Sequence, residues 1–388
     1  MKIVFTGGGT GGHFYPLIAV AEAIAEAVAE RTLVTPRLYY LGKDAYDEEA
    51  LFRNDIQFIR IDAGKVRRYF SLQNLIDVMH TVFGFVGALV TLFRLYPDVV
   101  ISKGGYQSVP VVLAARVLDI PLIIHESDSK PGRANLLAAR FADRIGIAFA
   151  SAAAQFPNAV QSKIALIGIP IRREVMHPDA EGAKQELGLD AAVPTVFIVG
   201  GSTGSHRINE TIIAAVSDMV GSLNVIHQTG RKEFAATDAA AKAALVGNTH
   251  ASRYHAFPFL TSESIRRAAG AANVIVSRAG ATAIAEISHW GKPAILIPIP
   301  ESVSHDQRTN AYAYAHTGAA EVIEEANLTP HVLTSEVKRI AGDVALAAKM
   351  GAAGATFMPG DAARIIADEA LRIALSHEAA SEPPLPTA

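Results

Sequence analysis

Short apolar, β-branched runs alternate with stretches of helical period along this chain, the pattern of repeated strand–helix units. The runs are continuous and do not alternate apolar with polar, so each strand is expected to be buried on both faces, inside a parallel sheet covered by helices. In the first half the predicted strands lie at 2–6, 37–41, 58–61, 99–102, 122–125 and 144–147, with another short one within 163–168. In the second half they lie at 195–199, 224–227, 273–277, 294–297 and 321–323. The expected fold class is α/β, with two doubly wound parallel-sheet domains. Residues 168–173 are the expected hinge, and an amphipathic stretch before Pro383-Pro384-Leu385-Pro386 is expected to form a terminal helix. The chain thus divides into a first domain at 1–168, a second at 169–360, a helix at 361–376 and a disordered tail at 377–388.

The halves also share a motif. Gly7-Gly8-Gly9-Thr10-Gly11-Gly12-His13 returns, with two changes, as Gly200-Gly201-Ser202-Thr203-Gly204-Ser205-His206, each copy after a predicted strand and before a helical pattern. Glycines there let an anion approach bare backbone, and the helix start offers unpaired N–H groups and a positive dipole end, which suits phosphate. Ligands of doubly wound sheets bind at the carboxyl ends of the strands, so a cleft between the two domains is the expected site. Other glycine turns follow strands at Lys103-Gly104-Gly105-Tyr106-Gln107-Ser108, Gly168-Ile169-Pro170 and Arg278-Ala279-Gly280-Ala281-Thr282. In the last of these Thr282 can cap a helix, and Glu286 follows one turn in. A carboxylate there can accept both hydroxyls of a ribose, or it can be a first-turn glutamate favoured by the helix dipole.

Composition narrows the classes. At 388 residues and 50% hydrophobic the chain can bury two cores, and a net charge of −3 lacks the basic surplus of a nucleic-acid binder. With no cysteine, disulfides, thiolate metal sites and a cysteine nucleophile are excluded. No secretory signal pattern precedes the first strand, so a cytoplasmic location is expected. The uncharged stretch 78–93 is too short for a confident membrane span and reads from its residues as a core helix. The alternative is a helix with one apolar face against lipid, aided by Lys65, Arg67, Arg68 and Arg94.

Several spaced motifs resemble one family. Gly8-Gly9-Thr10-Gly11-Gly12-His13 followed by Pro16, then Gly104-Gly105-Tyr106, His125-Glu126, Gly200-Gly201-Ser202 with Gly204, Arg278 to Glu286, and Gln307 with Asn310-Ala311 are similar to the MurG family, the lipid-linked N-acetylglucosaminyltransferases of peptidoglycan synthesis. The resemblance runs from residue 1 to about 375. It implies a GT-B fold and inverting transfer of N-acetylglucosamine (GlcNAc) from UDP-GlcNAc to lipid I (undecaprenyl-pyrophosphoryl-MurNAc-pentapeptide), giving lipid II. It also implies an acceptor site in the first half and a donor site in the second. Residue by residue, Ser202 matches a contact to the donor pyrophosphate, Glu286 the ribose carboxylate, Leu260 a uracil contact and Gln307 a sugar contact. Ala281, Thr282 and the residues up to Ala285 line the donor's ribose and phosphates, and Arg172 matches an arginine near those phosphates. Thr10, Gly11 and Gly12 sit where acceptor pyrophosphate and donor sugar converge. His13 is either the base that takes the acceptor proton or a positioner of the loop, and Glu126 is an alternative base or orienting group. Where the family has His-Glu-Gln-Asn, this chain reads His125-Glu126-Ser127-Asp128, so Asp128 stands at a sugar-contacting amide position without amide donors.

The same resemblance turns the reading of 78–93 to a peripheral membrane patch. Its implied partners are UDP-GlcNAc, lipid I, the cytoplasmic face of the inner membrane and other cell-wall synthesis proteins, without nucleic acid. No cofactor is implied. No Asp-x-Asp pair occurs, so a metal clamp on the diphosphate has no evident ligands. The rival readings are a dinucleotide oxidoreductase, for which no acidic residue appears at the end of the second strand about twenty residues beyond the last glycine, and a P-loop nucleotidase, which lacks Gly-Lys-Ser/Thr. A nucleotide-sugar epimerase and a non-catalytic binding module of the same fold remain as alternatives.

Overall fold

The computed structural model describes residues 1–8, 10–64, 73–201, 204–301 and 306–381, with side chains at 73–78 and 377–381 excepted. Lys65, Arg67, Arg68, Ser202 and the tail from 382 therefore lie outside the described residues. The chain forms two compact units, Met1–Arg172 together with the chain from Pro359 onward, and Arg173–Met358.

In the first unit a seven-stranded sheet carries β1 (Lys2–Thr6), β2 (Arg37–Gly42), β3 (Ile56–Arg60), β4 (Val99–Ser102), β5 (Leu122–Glu126), β6 (Arg144–Ile147) and β7 (Ile164–Leu166), in the order β3-β2-β1-β4-β5-β6-β7. Every pairing is parallel. Successive residues of a strand feed opposite faces: Ile3 and Phe5 join one apolar cluster, and Val4 joins the other. That two-sided burial is why the strands read as unbroken apolar runs.

The second unit repeats the plan with β8 (Thr195–Val199), β9 (Asn224–Gln228), β10 (Tyr254–Phe257), β11 (Val274–Ser277), β12 (Ala294–Leu296) and β13 (Ala320–Val322), in the order β10-β9-β8-β11-β12-β13, again all parallel. Strand β10 was not expected; it is an edge strand whose four residues are all only half-buried, so polar and apolar residues mix in it. In each sheet the winding reverses beside the first strand, between β1 and β4 and between β8 and β11. Thr6 pairs with Ser102 and Val199 with Ser277, which sets the paired glycine turns beside each other at the two switch points.

Two expectations about the C-terminus change. The terminal helix spans Ala362–Ser381, so it runs into the stretch expected to be disordered; Ala and Glu continue it towards the prolines. It is also part of the first unit and no separate element: Ile366, Ala367, Ala370 and Leu371 join the cluster built on the helix Gly11–Glu30. Arg31–Asp368 at 2.6 Å and Arg364–Glu30 at 2.5 Å flank that packing.

The apolar stretch belongs to the helix Gln73–Leu95. Its inner face buries Ala88 and Leu92, and a Cβ on Gly84 would overlap the Asp62 carbonyl, so the helix presses closely on the chain after β3. Its outer face exposes Met79, Val82, Phe83, Val86, Val90 and Phe93 at helical spacing. The core-helix reading therefore holds for one face of this helix only.

Candidate active site

In the first unit the site grows from the turn after β1. Gly7 lies against Lys103, with a Cβ there 2.9 Å from Lys103 Cβ, and a Cβ on Gly8 would overlap Gln107 Oε1. The Tyr40 hydroxyl donates to the Gly7 carbonyl. Thr10 is the N-cap of the helix Gly11–Glu30, yet its hydroxyl makes no cap bond and pairs with His13 Nδ1 at 2.9 Å. The Thr10 carbonyl instead accepts from the N–H groups of His13 and Phe14 at 3.1 and 3.2 Å. Arg172 stacks its guanidinium over the Tyr15 ring at 4.3 Å, and the Tyr15 hydroxyl donates to Asp47 at 3.0 Å. The expected phosphate arginine is thus held beside the first glycine helix.

His13 is half-buried. Burial, and next the charge of Lys103, push its pKa down to about 4, so the ring is neutral at physiological pH. His125 is fully buried at the end of β5 and donates from Nε2 to the Gly168 carbonyl at 2.7 Å. Burial holds its pKa well below the ordinary histidine value.

Glu126 is 4% exposed and its oxygens are occupied by the loop that follows. Oε1 accepts from the Asp128 N–H at 3.0 Å, while Oε2 accepts from the Gly132 N–H and from Asn135 Nδ2, both at 2.9 Å. That geometry is an orienting carboxylate's; a base would present an open oxygen to substrate, so the catalytic assignment of Glu126 gives way to a positioning one. Asp128 is half-buried at the turn Glu126 shapes. Lys103 was passed over as part of a turn. It is 2% exposed, donates from Nζ to Ser127 Oγ, and has its pKa lowered to about 8 by burial, against the opposing pull of Glu126 and Asp128. A lysine directly after a buried strand, one residue before two glycines, was the available signal.

In the second unit the turn after β8 leads to the helix His206–Met219, capped by Ser205, which accepts from the Ile208 N–H at 3.4 Å. Gly204 takes φ +80°, and a Cβ there would overlap the Thr229 carbonyl, so only glycine fits. Arg278, also missed as a site residue, donates to Ser205 Oγ at 2.6 Å and to the Ile297 carbonyl at 3.2 Å, and pairs with Glu325 at 2.5 Å. It ties together the turns that follow β8, β11 and β12. Gln228 donates to the Gly201 carbonyl at 3.4 Å and accepts from the Leu260 N–H at 3.1 Å. The side chain of Leu260 is buried, and Arg231 lies over the neighbouring Phe259 ring at 4.8 Å.

The helix Ala281–Trp290 is capped by Gly280, so Thr282 lies inside it and is not the cap. Glu286 falls in the second turn, half-buried, beyond the first-turn dipole position proposed for it. Gln307 opens the helix Gln307–Ala315, accepts from the Ile299 N–H at 3.2 Å, and brings Nε2 to 4.0 Å from a Cβ placed on Gly280. Gln307 and the Gly280–Ala281 turn are therefore neighbours. Among the described residues no cluster of three or more histidine, aspartate or glutamate side chains could hold a metal ion.

Two doubly wound domains with glycine turns at each switch point are the GT-B glycosyltransferase architecture, and comparison with known proteins gives the same class. The glycosyltransferase family 28 N-terminal domain matches residues 3–147, and the family's C-terminal domain matches 195–364. A UDP-N-acetylglucosamine--N-acetylmuramyl-(pentapeptide) pyrophosphoryl-undecaprenol N-acetylglucosamine transferase of Treponema denticola is 34% identical over 85% of this chain and 85% of its own. The protein of the same name from Legionella pneumophila is 36% identical over 87% of this chain and 88% of its own. The crystal structure of MurG from Acinetobacter baumannii superposes with a TM-score of 0.70 at 25% identity, covering 96% of this chain and 99% of that one. The chain belongs to the MurG family, within glycosyltransferase family 28.

Proposed function

We propose that this enzyme moves GlcNAc from UDP-GlcNAc to the muramyl sugar of undecaprenyl-pyrophosphoryl-MurNAc-pentapeptide, releasing UDP with inversion at the anomeric carbon. The observation that carries the reading is a match to transferases of that name along nearly the whole of both chains. The acceptor hydroxyl oxygen forms the new bond to the anomeric carbon. The bond to UDP breaks with its electron pair on the β-phosphate oxygen, and the hydroxyl proton passes to His13. A neutral ring, held by the Thr10 hydroxyl, is the form a base needs. Thr10, Gly11 and Gly12 receive the acceptor's pyrophosphate at the helix start, and Asp128 accepts from a sugar hydroxyl.

On the donor side Ser202 and the turn around Gly201 meet the diphosphate, Glu286 the ribose, Leu260 the uracil and Gln307 the sugar, with Ala281 and Thr282 lining the ribose and phosphates. Arg172, fixed by its stack on Tyr15, stabilises the departing diphosphate. No metal ion is needed in this scheme. No described helix is long and apolar enough to cross a membrane. The exposed stripe of Phe83, Val86 and Phe93 supports peripheral attachment, in this reading at the cytoplasmic face of the inner membrane, where the lipid acceptor is presented.

Mass spectrometry of the lipid, with proton NMR of the nucleotide sugar, in a reaction of UDP-GlcNAc with a short-chain lipid I analogue tests the reading. Addition of one GlcNAc to the lipid with release of UDP is the expected product. Conversion of UDP-GlcNAc to an epimer without any acceptor would instead make this chain a nucleotide-sugar epimerase of the same fold.

A further inference from the structure

The repeated motif puts a histidine at the same place in each half, and the two rings meet opposite surroundings. His13 is half-buried beside Lys103 and held neutral. His206 is exposed and stands between two carboxylates, with Nδ1 at 2.8 Å from Glu233 Oε2 and Nε2 at 3.2 Å from Glu210 Oε1. A neutral imidazole carries one N–H and one lone pair, so it can donate to only one of the two. Both contacts together need the protonated ring. A cation on the first residue of a helix is opposed by the helix dipole, and here the glutamates outweigh that opposition. The hydrogen bond to Glu233, and next the charge of Glu210, hold the pKa of His206 above the ordinary histidine value. Among the described residues these are the charged groups that face the ring, Glu210 from its own helix and Glu233 from the N-cap of the helix Phe234–Ala244.

The contact joins two turns. Glu233 makes no cap bond with its side chain, whose carboxylate instead reaches across to His206. Behind it, on the buried side of the same helix start, Asn209 Nδ2 donates to the Thr229 carbonyl at 3.0 Å and Asn209 Oδ1 accepts from His227 Nε2 at 3.0 Å. That inner fastening does not change near neutral pH, because burial pushes the pKa of His227 down to about 3. Gly204 lies against Thr229 and Gly230, so the two turns touch where they are fastened. The turn after β8 is thus held to the turn after β9 by a fixed inner set of bonds and a titratable outer one.

We propose that His206 is a positioning residue whose protonated ring clasps the glycine turn after β8 to the turn after β9, and that the clasp loosens when the ring loses its proton. Its bearing on the donor rests on the transferase reading above, in which that glycine turn meets the diphosphate of UDP-GlcNAc. Since the folded protein holds the proton more tightly than an ordinary histidine does, the clasp is complete below about pH 6.5 and is lost as pH rises through the raised value.

The test compares wild type, His206→Gln and Glu233→Gln by isothermal titration with UDP-GlcNAc at about pH 6 and about pH 9. Wild type is expected to bind about two- to fivefold more tightly than either variant at the lower pH and equally at the higher, the scale of an exposed ion pair. Molar salt should shrink the difference. A wild-type-to-variant ratio that is the same at both pH values would overturn the proposed positioning. Proton NMR titration of the His206 ring, assigned by its loss in His206→Gln, needs no substrate. The midpoint is expected above about 6.5 in wild type and lower in Glu233→Gln; a midpoint at or below 6.5, unmoved by Glu233→Gln, would overturn the clasp itself. If UDP-GlcNAc does not bind wild type, the transferase reading fails and the ring titration still decides the clasp.

Discussion

His13 shows how position changes a side chain's chemistry. An exposed histidine is partly protonated near neutrality, whereas this ring, half-buried and close to Lys103, has its pKa lowered to about 4. A base must be unprotonated to act, so activity dependent on His13 is present above that value and lost as pH falls through it. The acidic limb of kcat/KM is therefore expected near pH 4, and a limb at the ordinary histidine value of about 6.5 would show that the ring is not held this way. His13→Ala should lower turnover by about 10²–10⁴-fold while leaving UDP-GlcNAc binding intact, measured by isothermal titration alongside rates. On the proposed donor side, Glu286→Gln would remove the charge from the two hydrogen bonds proposed for the ribose. The expected result is a rise of about 10–100-fold in the KM for UDP-GlcNAc with acceptor KM unchanged.

Among the elements, the central strands were legible because burial on both faces leaves unbroken apolar runs, as in Val99–Ser102 and Val274–Ser277. The edge strand Tyr254–Phe257 was not, since half-burial mixes polar and apolar positions. The glycine turns were legible from the residues that only they allow, and their pairing at the switch points came from the strand order, which no local pattern records. The partners of side chains were hidden for the same reason. Lys103 and Ser127 meet across neighbouring strand ends, Arg278 and Ser205 across 73 residues of chain. The amphipathic stripe of the terminal helix announced a buried face without saying what covers it. Because Leu371 is fully buried against the helix that carries His13, Leu371→Ala should cost about 2–5 kcal/mol by urea unfolding. The outer stripe of the helix Gln73–Leu95 carries the opposite expectation. Exchanging Phe83, Val86 and Phe93 together for Ser should leave the unfolding midpoint nearly unchanged and abolish co-sedimentation with anionic phospholipid vesicles; unchanged vesicle binding would remove that face from the membrane account.

For the whole molecule, two units repeat one design. The first gathers a neutral histidine, a buried lysine and an ordered carboxylate loop around a helix start. The second gathers a glycine turn whose Gly204 tolerates no side chain, an arginine tying three turns after strands, a glutamate in the second turn of the next helix and a glutamine beside that helix's start. In the proposed reaction the first unit takes the acceptor with its pyrophosphate and the second the nucleoside-diphosphate sugar. The most direct test is transfer of labelled GlcNAc from UDP-GlcNAc to a short-chain lipid I analogue with chelator present. The account predicts labelled lipid with inverted anomeric configuration, formed at the same rate with and without chelator. Label that stays in nucleotide or free sugar, with no labelled lipid under either condition, would contradict it.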